Sequence, residues 1–210
     1  MKEKLKSTPV MKQFWEAKKN YPDSILLFRM GDFYETFEKD AEITSNVLGI
    51  TLTKRANGAA SSVPLAGFPY HALDQHLYKL LNSGYRVAIC EQVEDPKKAK
   101  GIVKREVVEV VTPGTAVNDK FLNHKQNNFL ACIFIEAEIT GIALVDHSTG
   151  EFITAERKIA GMQDLIKQYQ PAEILVPECM HRDIETLLGN QFLYTPIVDW
   201  QFDPESSFIR

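Results

Sequence analysis

Cysteine is scarce in this sequence: Cys90, Cys132 and Cys179 are the only three among 210 residues. They lie far apart, are odd in number and lack the short spacings of metal ligands. Neither a disulfide framework nor a zinc site is therefore indicated. This cysteine usage fits a reducing, cytoplasmic compartment.

Long apolar runs are also missing. The first six residues carry positive charge but lack the apolar segment of a signal peptide. No later stretch approaches the length needed to span a bilayer. We therefore expect a protein that is neither exported nor embedded in a membrane, and that has no membrane partner.

The chain does have enough apolar sequence, 44% of its residues, to fill the cores of one large or two small domains. Its formal net charge of -4 hides an uneven distribution. Residues 1–125 hold 19 Lys and Arg against 15 Asp and Glu, whereas residues 126–210 hold 5 against 13. Such a difference fits a nucleic-acid partner for the first part, but it also serves solubility, so charge leaves both interpretations open.

In the N-terminal part, helical and strand periodicities alternate between turn residues. Thr8-Pro9 is typical of a helix start, and Gly49 is suited to a left-handed helix end. The patterns predict helices over 9–20, 33–48 and 71–81, strands over 24–30, 50–53, 85–92 and 103–111, and an exposed loop over 54–62. This alternation predicts a mixed α/β domain.

A polar segment, 116–128, has the composition of a linker, and we place the domain boundary between residues 119 and 120. The pattern that follows predicts antiparallel strands over 129–136, 141–146 and 151–156, then a helix over 162–169, a strand over 173–176 and a helix over 182–188. This order indicates an RNase H-like α/β sheet. The domains are thus 1–119 and 120–210. The second is expected to be truncated, because Phe208-Ile209-Arg210 does not look like a domain end.

The segment Phe28-Arg29-Met30-Gly31-Asp32-Phe33-Tyr34-Glu35 places an aromatic ring and a carboxylate where a buried strand meets a predicted helix. A rigid scaffold at such a junction can present side chains outward at a fixed angle. Taken alone, Phe33 and Glu35 at a helix start more often serve packing and the helix dipole. This segment indicates a function only in combination with the other motifs of the chain.

Five runs occur in the order found in MutS mismatch repair proteins. They are 28–35, 52–55, 64–71, 88–92 and 111–115. The resemblance covers most of residues 8–125 and continues more weakly through 145–146 and 148–152, which is similar to the start of the family's connector domain. The chain therefore resembles the N-terminal part of a MutS protein, with a mismatch-binding domain followed by part of a connector domain.

The resemblance implies that Phe33 stacks at a mismatch and that Glu35 forms a hydrogen bond there. It also implies that two neighbouring cations contact the DNA backbone. The residues assigned to DNA binding are Phe33, Glu35, Asp32, Lys54, Arg55 and Leu65. A further cluster could add non-specific attraction or simply face solvent. It consists of Lys97, Lys98, Lys100, Lys104 and Arg105.

The chemistry of these two side chains agrees with such roles. An aromatic wedge unstacks a base step and kinks the duplex at a cost of about a few kcal/mol. A mispaired or unpaired base lowers that cost, so Phe33 would test deformability rather than sequence. A carboxylate at Glu35 accepts from thymine N3–H, and a protonated carboxyl donates to a purine N7. We expect the pKa of Glu35 to rise in the complex, and its charge to repel a duplex that offers it no hydrogen bond.

Two alternatives stay open for the second domain. RNase H-like nucleases carry an aspartate on an early strand, and Asp146 has such a position. Two-metal hydrolysis needs several convergent acids, and Glu151, Asp164 and Glu173 offer no evident set, so a structural Asp146 is favoured. The other alternative treats the whole chain as a protein-binding module with the acidic second domain as its surface. For that domain alone a protein-binding role is favoured, since the resemblance implies that the connector contacts a MutL-type partner.

The sequence contains no Gly-x-x-x-x-Gly-Lys-Ser/Thr phosphate loop. We expect this chain not to hydrolyse ATP and to carry no cofactor or metal of its own. The resemblance implies ATP or ADP, Mg²⁺ and homodimer formation for a full-length family member, in the cytoplasm of a bacterium and associated with its nucleoid. The expected function is recognition of mismatched or unpaired bases in double-stranded DNA to initiate mismatch repair.

Overall fold

The structure is a computed structural model that describes residues 8–57, 60–94, 101–116 and 127–208. The chain divides into two compact units, Met1–Thr112 and Pro113–Arg210. The predicted boundary between residues 119 and 120 lies outside the described residues, as do Lys97, Lys98 and Lys100. No helix in the described ranges is long and apolar enough to cross a membrane.

The first unit is built around one six-stranded sheet. Its elements are α1 (Pro9–Asn20), β1 (Ser24–Met30), β2 (Phe33–Phe37), α2 (Glu38–Leu48), β3 (Thr53–Asn57), β4 (Ala60–Pro69), a 3-10 turn (Tyr70–Ala72), α3 (Leu73–Asn82), β5 (Arg86–Gln92) and β6 (Arg105–Val111). The strand order is β3-β4-β2-β1-β5-β6. Only β1 and β5 are parallel, and the other neighbours are antiparallel.

The central strand β1 is buried along most of its length, as its apolar run predicts. Met11 and Phe14 of α1 pack into a core cluster with Leu26 and Phe28. Because β2 pairs only with the last three residues of β1, the N–H of Leu26 donates instead to the buried carboxylate of Asp40, at 3.0 Å. The core therefore sits directly beneath the hairpin of β1 and β2.

The helix predicted over 33–48 is wrong in its first five residues. Phe33–Phe37 forms β2, and the helix α2 begins only at Glu38, whose φ of 54° turns the chain sharply out of the strand. The aromatic residues and Thr36 favour a strand, and this strand pairs with β1 on one side and β4 on the other. The predicted helix end at Gly49 is confirmed, with φ at 68°.

The strand predicted over 50–53 and the loop predicted over 54–62 are also wrong. The chain instead forms the antiparallel pair β3 and β4, and Lys54 and Arg55 lie within β3. The small residues of this stretch have the composition of a loop, but pairing with the long strand β4 overrides that local preference. The other predicted elements of this unit are confirmed to within a few residues.

The second unit contains a five-stranded sheet. Its main elements are β7 (Phe129–Glu136), β8 (Ile139–Asp146), β9 (Glu151–Lys158), α4 (Ile159–Tyr169), β10 (Glu173–Pro177), α5 (His181–Leu188), β11 (Tyr194–Ile197) and α6 (Pro204–Phe208). Short 3-10 turns are Pro113–Thr115, Glu178–Met180 and Asp199–Phe202.

The strand order of this sheet is β11-β10-β7-β8-β9. The first three strands along the chain are antiparallel, and β10 and β11 then join β7 in parallel. Side chains of α4 and α5 close the core over one face, with Met162, Ile166 and Ile184 fully buried. The predicted fold class, a mixed α/β domain followed by an RNase H-like α/β domain, is confirmed.

Candidate nucleic-acid interface

Phe33 is the first residue of β2 and is 46% exposed. Tyr34 and Phe37 of the same strand are both buried. Since the hydrophobic effect favours removing an aromatic ring from water, an exposed phenyl group on a rigid strand is available for contact with another molecule.

The turn before Phe33 is braced from two sides. Gly31 and Asp32 form a two-residue hairpin loop, in which the φ of 58° at Gly31 suits a glycine. Arg29 Nε donates to the carbonyl of Gly31 at 2.6 Å, and the N–H of Tyr70 donates to the carbonyl of Asp32 at 2.8 Å. The side chain of Asp32 stays exposed, so this residue holds the turn through its backbone.

The face of the sheet opposite Phe33 anchors this turn. The hydroxyl of buried Tyr34 donates to Glu91, and the guanidinium of Arg29 lies 4.1 Å from the ring centre of Tyr70. Burial, together with the charge and hydrogen bond of Glu91, raises the pKa of Tyr34, so its hydroxyl remains a donor at neutral pH. Phe33 is thus presented by a fixed scaffold.

Glu35 lies two residues further along β2, on the same face as Phe33. Its partner across the sheet is Gly67 of β4. A Cβ atom at Gly67 would come within 3.4 Å of Cγ of Glu35 and 3.0 Å of the Tyr34 carbonyl oxygen. Gly67 therefore leaves the space that the Glu35 side chain occupies.

Glu35 forms an ion pair with Arg55 of β3. Arg55 Nη1 donates to Glu35 Oε2 at 2.6 Å, and the two side chains are 33% and 19% exposed. Burial raises the pKa of Glu35 above its ordinary value, and the positive charges of Arg55 and Arg105 offset that effect only in part. Two residues assigned to DNA binding from the sequence are thus bonded to each other.

Lys54 and Arg55 point to opposite faces of the sheet. Lys54 is opposite Pro64 and Arg55 is opposite Val63 in the pairing with β4, and side chains alternate along a strand. Lys54 is exposed. The structure therefore brings Arg55 to Glu35 but does not bring Lys54 to the same face.

A cavity of about 570 Å³ opens beside Phe33 and Glu35. It is lined by Phe33, Glu35, Gly49, Ile50, Thr51, Thr53, Leu65 and Gly67. Half-buried Leu65 supplies part of its apolar wall. Sequence reasoning missed Gly67, Thr51 and Thr53, which only the pairing of β4 with β2 and β3 could have indicated.

The described part of the basic cluster is engaged within the protein. Arg105 Nε donates to the carbonyl of Arg29 at 2.6 Å, and its guanidinium lies 5.2 Å from the ring centre of Phe28. Lys104 pairs with Glu106 at 2.5 Å on the surface. Arg105 therefore ties β6 to the central strand of the sheet.

Asp146, the candidate nuclease residue of the second unit, is fully buried at the end of β8. Its carboxylate accepts from the N–H of Asn128 at 3.1 Å, and from the N–H and hydroxyl of Ser148 at 2.8 and 2.7 Å. Burial acts to raise the pKa of Asp146, but these hydrogen bonds and one from Thr149 outweigh it and lower the pKa. Within the described ranges, no group of three or more His, Cys, Asp or Glu could hold a metal ion.

Family models match both units of the chain. The model of MutS domain I matches residues 8–120, and the model of MutS domain II matches residues 128–210. The chain is 50% identical to a DNA mismatch repair protein MutS of Porphyromonas gingivalis over 97% of its length, and 50% identical to that of Flavobacterium psychrophilum over 94%. The MutS of Salinibacter ruber is 48% identical over 93% of the chain. The chain spans 23%, 23% and 22% of the lengths of these relatives, respectively. From the two domain matches and these identities, the chain belongs to the MutS family.

Proposed function

We propose that the first unit recognises mismatched or unpaired bases in double-stranded DNA, with Phe33 as a wedge and Glu35 as the hydrogen-bonding partner. The observation that carries this proposal is the exposed ring of Phe33 on a braced hairpin, with the Glu35 carboxyl on the same face. The names of the relatives, DNA mismatch repair protein MutS, support it.

Rigidity of the hairpin matters for this mechanism. Pressing a ring between stacked bases costs about a few kcal/mol, and a loose side chain would bend away instead of opening the step. The bonds at Gly31 and Asp32 hold the backbone next to Phe33 in place. A mismatched step yields at lower cost than a paired step, so a stiff wedge converts deformability into binding preference.

Glu35 adds a chemical requirement to this mechanical one. A base whose hydrogen-bonding edge is not satisfied by a partner can bond the carboxyl, whereas a fully paired base offers Glu35 no hydrogen bond and leaves its negative charge near the phosphates. Lys54, and Arg55 when it is not paired with Glu35, would contact phosphates, a contact that positions the duplex without reading sequence. This sequence contains no phosphate loop that would bind ATP or ADP with Mg²⁺.

The test is DNA binding by a chimera in which this chain replaces the matching segment of the Porphyromonas gingivalis relative. Truncation of a stacking aromatic costs about 1–3 kcal/mol per base, so Phe33→Ala should remove most of the preference for mismatched over matched duplex. Phe33→Leu should retain part of it. Val108→Ala, which trims a 57% exposed apolar side chain of β6, is the control and should leave the preference unchanged. An unaltered preference in Phe33→Ala would contradict the proposal.

For the second unit we propose a protein-binding role, with a MutL-type partner. Among the described residues of this acidic unit, four large apolar side chains are exposed: Ile139, Phe152, Val198 and Trp200, at 53%, 66%, 39% and 54%. Exposed apolar groups on a charged surface are typical of protein contact sites. Adding a MutL-type protein should change the fluorescence of Trp200 in a Trp15→Phe background, and no change at saturating partner would contradict this role.

A further inference from the structure

The ion pair between Arg55 and Glu35 limits what the Glu35 carboxyl can do. Arg55 Nη1 donates a hydrogen bond to Glu35 Oε2 at 2.6 Å. Among the described residues it is the one donor that reaches this carboxyl. An ionised carboxyl only accepts hydrogen bonds, whereas a protonated one can also donate. A guanidinium at hydrogen-bond distance favours the ionised form, so the paired Glu35 is an acceptor.

Base atoms fall into two classes for such a carboxyl. N–H groups, such as N3–H of thymine, donate to an ionised carboxyl. Ring nitrogens without hydrogen, such as purine N7, bond only to a carboxyl that has gained a proton. The protonation state of Glu35 therefore decides which unpaired bases it can hold.

We propose that Arg55 sets the lesion preference of this interface, by keeping Glu35 an acceptor while the two are paired and by releasing it as a donor when Arg55 turns to a DNA phosphate. Arg55 is thus a positioning residue that acts through Glu35. This inference rests on the proposed function of Phe33 and Glu35.

Three features of the site support two states of Arg55, one paired with Glu35 and one turned to a DNA phosphate. Burial opposes the charged form of Glu35, so losing the guanidinium partner raises the pKa of this carboxyl further and favours the protonated form. Arg55 lies on the edge strand β3 and is one-third exposed, so it can reach outward. Arg105 of β6, the other charged group that acts on Glu35, is held by the carbonyl of Arg29 and cannot take over that role.

The first test needs no DNA. In the 210-residue chain with ¹³C-labelled glutamate, Arg55→Gln should raise the pKa of the Glu35 carboxyl, because the lowering effect of Arg55 is removed. Arg55→Lys should restore part of the difference. Lys54→Gln removes one cation from the same strand, on the face opposite Glu35, and should leave the pKa of Glu35 unchanged. Equal values in the Arg55→Gln and parent chains would overturn the inference.

The second test uses the chimera with Porphyromonas gingivalis MutS and duplexes altered by one atom or group. One pair compares an unpaired thymine with N3-methylthymine, which lacks the donor, and the other compares an unpaired adenine with 7-deazaadenine, which lacks the N7 acceptor. Because Glu35 is an acceptor for as long as Arg55 is paired with it, the parent chimera should lose more affinity on N3-methylation than on the 7-deaza change. In Arg55→Gln the 7-deaza change should weaken binding about 2- to 10-fold, the range of one hydrogen bond, and more so as pH falls.

Two results separate failure of this inference from failure of the proposed function. If Phe33→Ala keeps its mismatch preference, the proposed function itself is wrong. If Phe33→Ala loses that preference but the 7-deaza effect is the same with and without Arg55, the proposed function stands and the role of Arg55 is wrong. Lys54→Gln should weaken binding to every duplex by the same factor, because a phosphate contact carries no information about the base.

Discussion

Replacing Gly67 by alanine tests the packing that places the Glu35 carboxyl. The new Cβ would lie 3.0 Å from the carbonyl oxygen of Tyr34 and 3.4 Å from Cγ of Glu35. The backbone oxygen belongs to a paired strand and cannot yield alone, and overpacking of this kind costs about 1–3 kcal/mol. Loss of glycine's freedom in the unfolded chain returns about 0.4–1 kcal/mol. We expect Gly67→Ala to destabilise the first unit by up to about 2.6 kcal/mol, since subtracting the second range from the first leaves about 0–2.6 kcal/mol.

Amide hydrogen exchange in the intact chain measures this effect strand by strand. The control is Gly141→Ala in β8, where the nearest atom to a new Cβ is the Phe134 carbonyl oxygen at 3.9 Å. Exchange from β2 should accelerate in Gly67→Ala, whereas exchange from β8 should be unchanged or slower in Gly141→Ala. If alanine at both positions slowed exchange alike, the close approach of β4 to Glu35 would not be what requires Gly67.

Two further substitutions address the carboxylates. Because the folded pKa of Asp146 is lowered, its contribution to stability is present above the ordinary value near 4 and is lost as pH falls through the folded value. Asp146→Asn should therefore cost the second unit about 1–3 kcal/mol at neutral pH and flatten its acid dependence in urea unfolding. Divalent-metal-dependent DNA cleavage that Asp146→Asn abolishes would instead support the nuclease alternative. The effect of pH on stability through Glu35 is opposite to that through Asp146. Because the pKa of Glu35 is raised, the folded chain binds more protons than the unfolded chain, and stability falls as pH rises from the ordinary pKa through the folded pKa. Glu35→Gln should remove that fall in pH-dependent unfolding and, in the chimera, retain or strengthen matched-duplex binding with poorer discrimination. Loss of binding to all duplexes would point to a structural role for Glu35.

Local sequence patterns predicted the elements whose apolar residues follow the pattern of burial in the folded protein. The buried run of β1 and the β-rich apolar runs of β7 and β8 are predicted directly from the residues, whereas the alternating burial of β7 and β8 is seen only in the structure. The strand β2 was missed because no turn residue separates it from the helix that follows. The chain turns at Glu38 with a positive φ, and a glutamate does not indicate such a conformation. The hairpin of β3 and β4 was missed because its stability comes from pairing with β2, a contact between residues distant in sequence.

For the candidate site too, the sequence indicated some features and not others. Phe33 and Glu35 were named from one ordered set of motifs, and Arg55 was named as a cation next to a presumed loop. The bond between Arg55 and Glu35 joins residues 20 positions apart and depends on the register of β3 against β4 and of β4 against β2. No local pattern encodes that register, so the sequence provided the charged groups but not their pairing.

The strand β3 ends the sheet of the first unit and carries Lys54 and Arg55 on its two faces. An edge strand exposes unpaired backbone groups that can add a strand from another molecule, and charged side chains on both faces discourage such stacking. We therefore expect these two cations to oppose self-association at the edge of β3, in addition to any contact that they make with DNA. Neutralising both at once would expose an edge that can pair with a second copy of itself. Any loss of DNA binding in such a double variant must then be read beside its molecular mass in solution, since aggregation removes the interface as effectively as a lost phosphate contact.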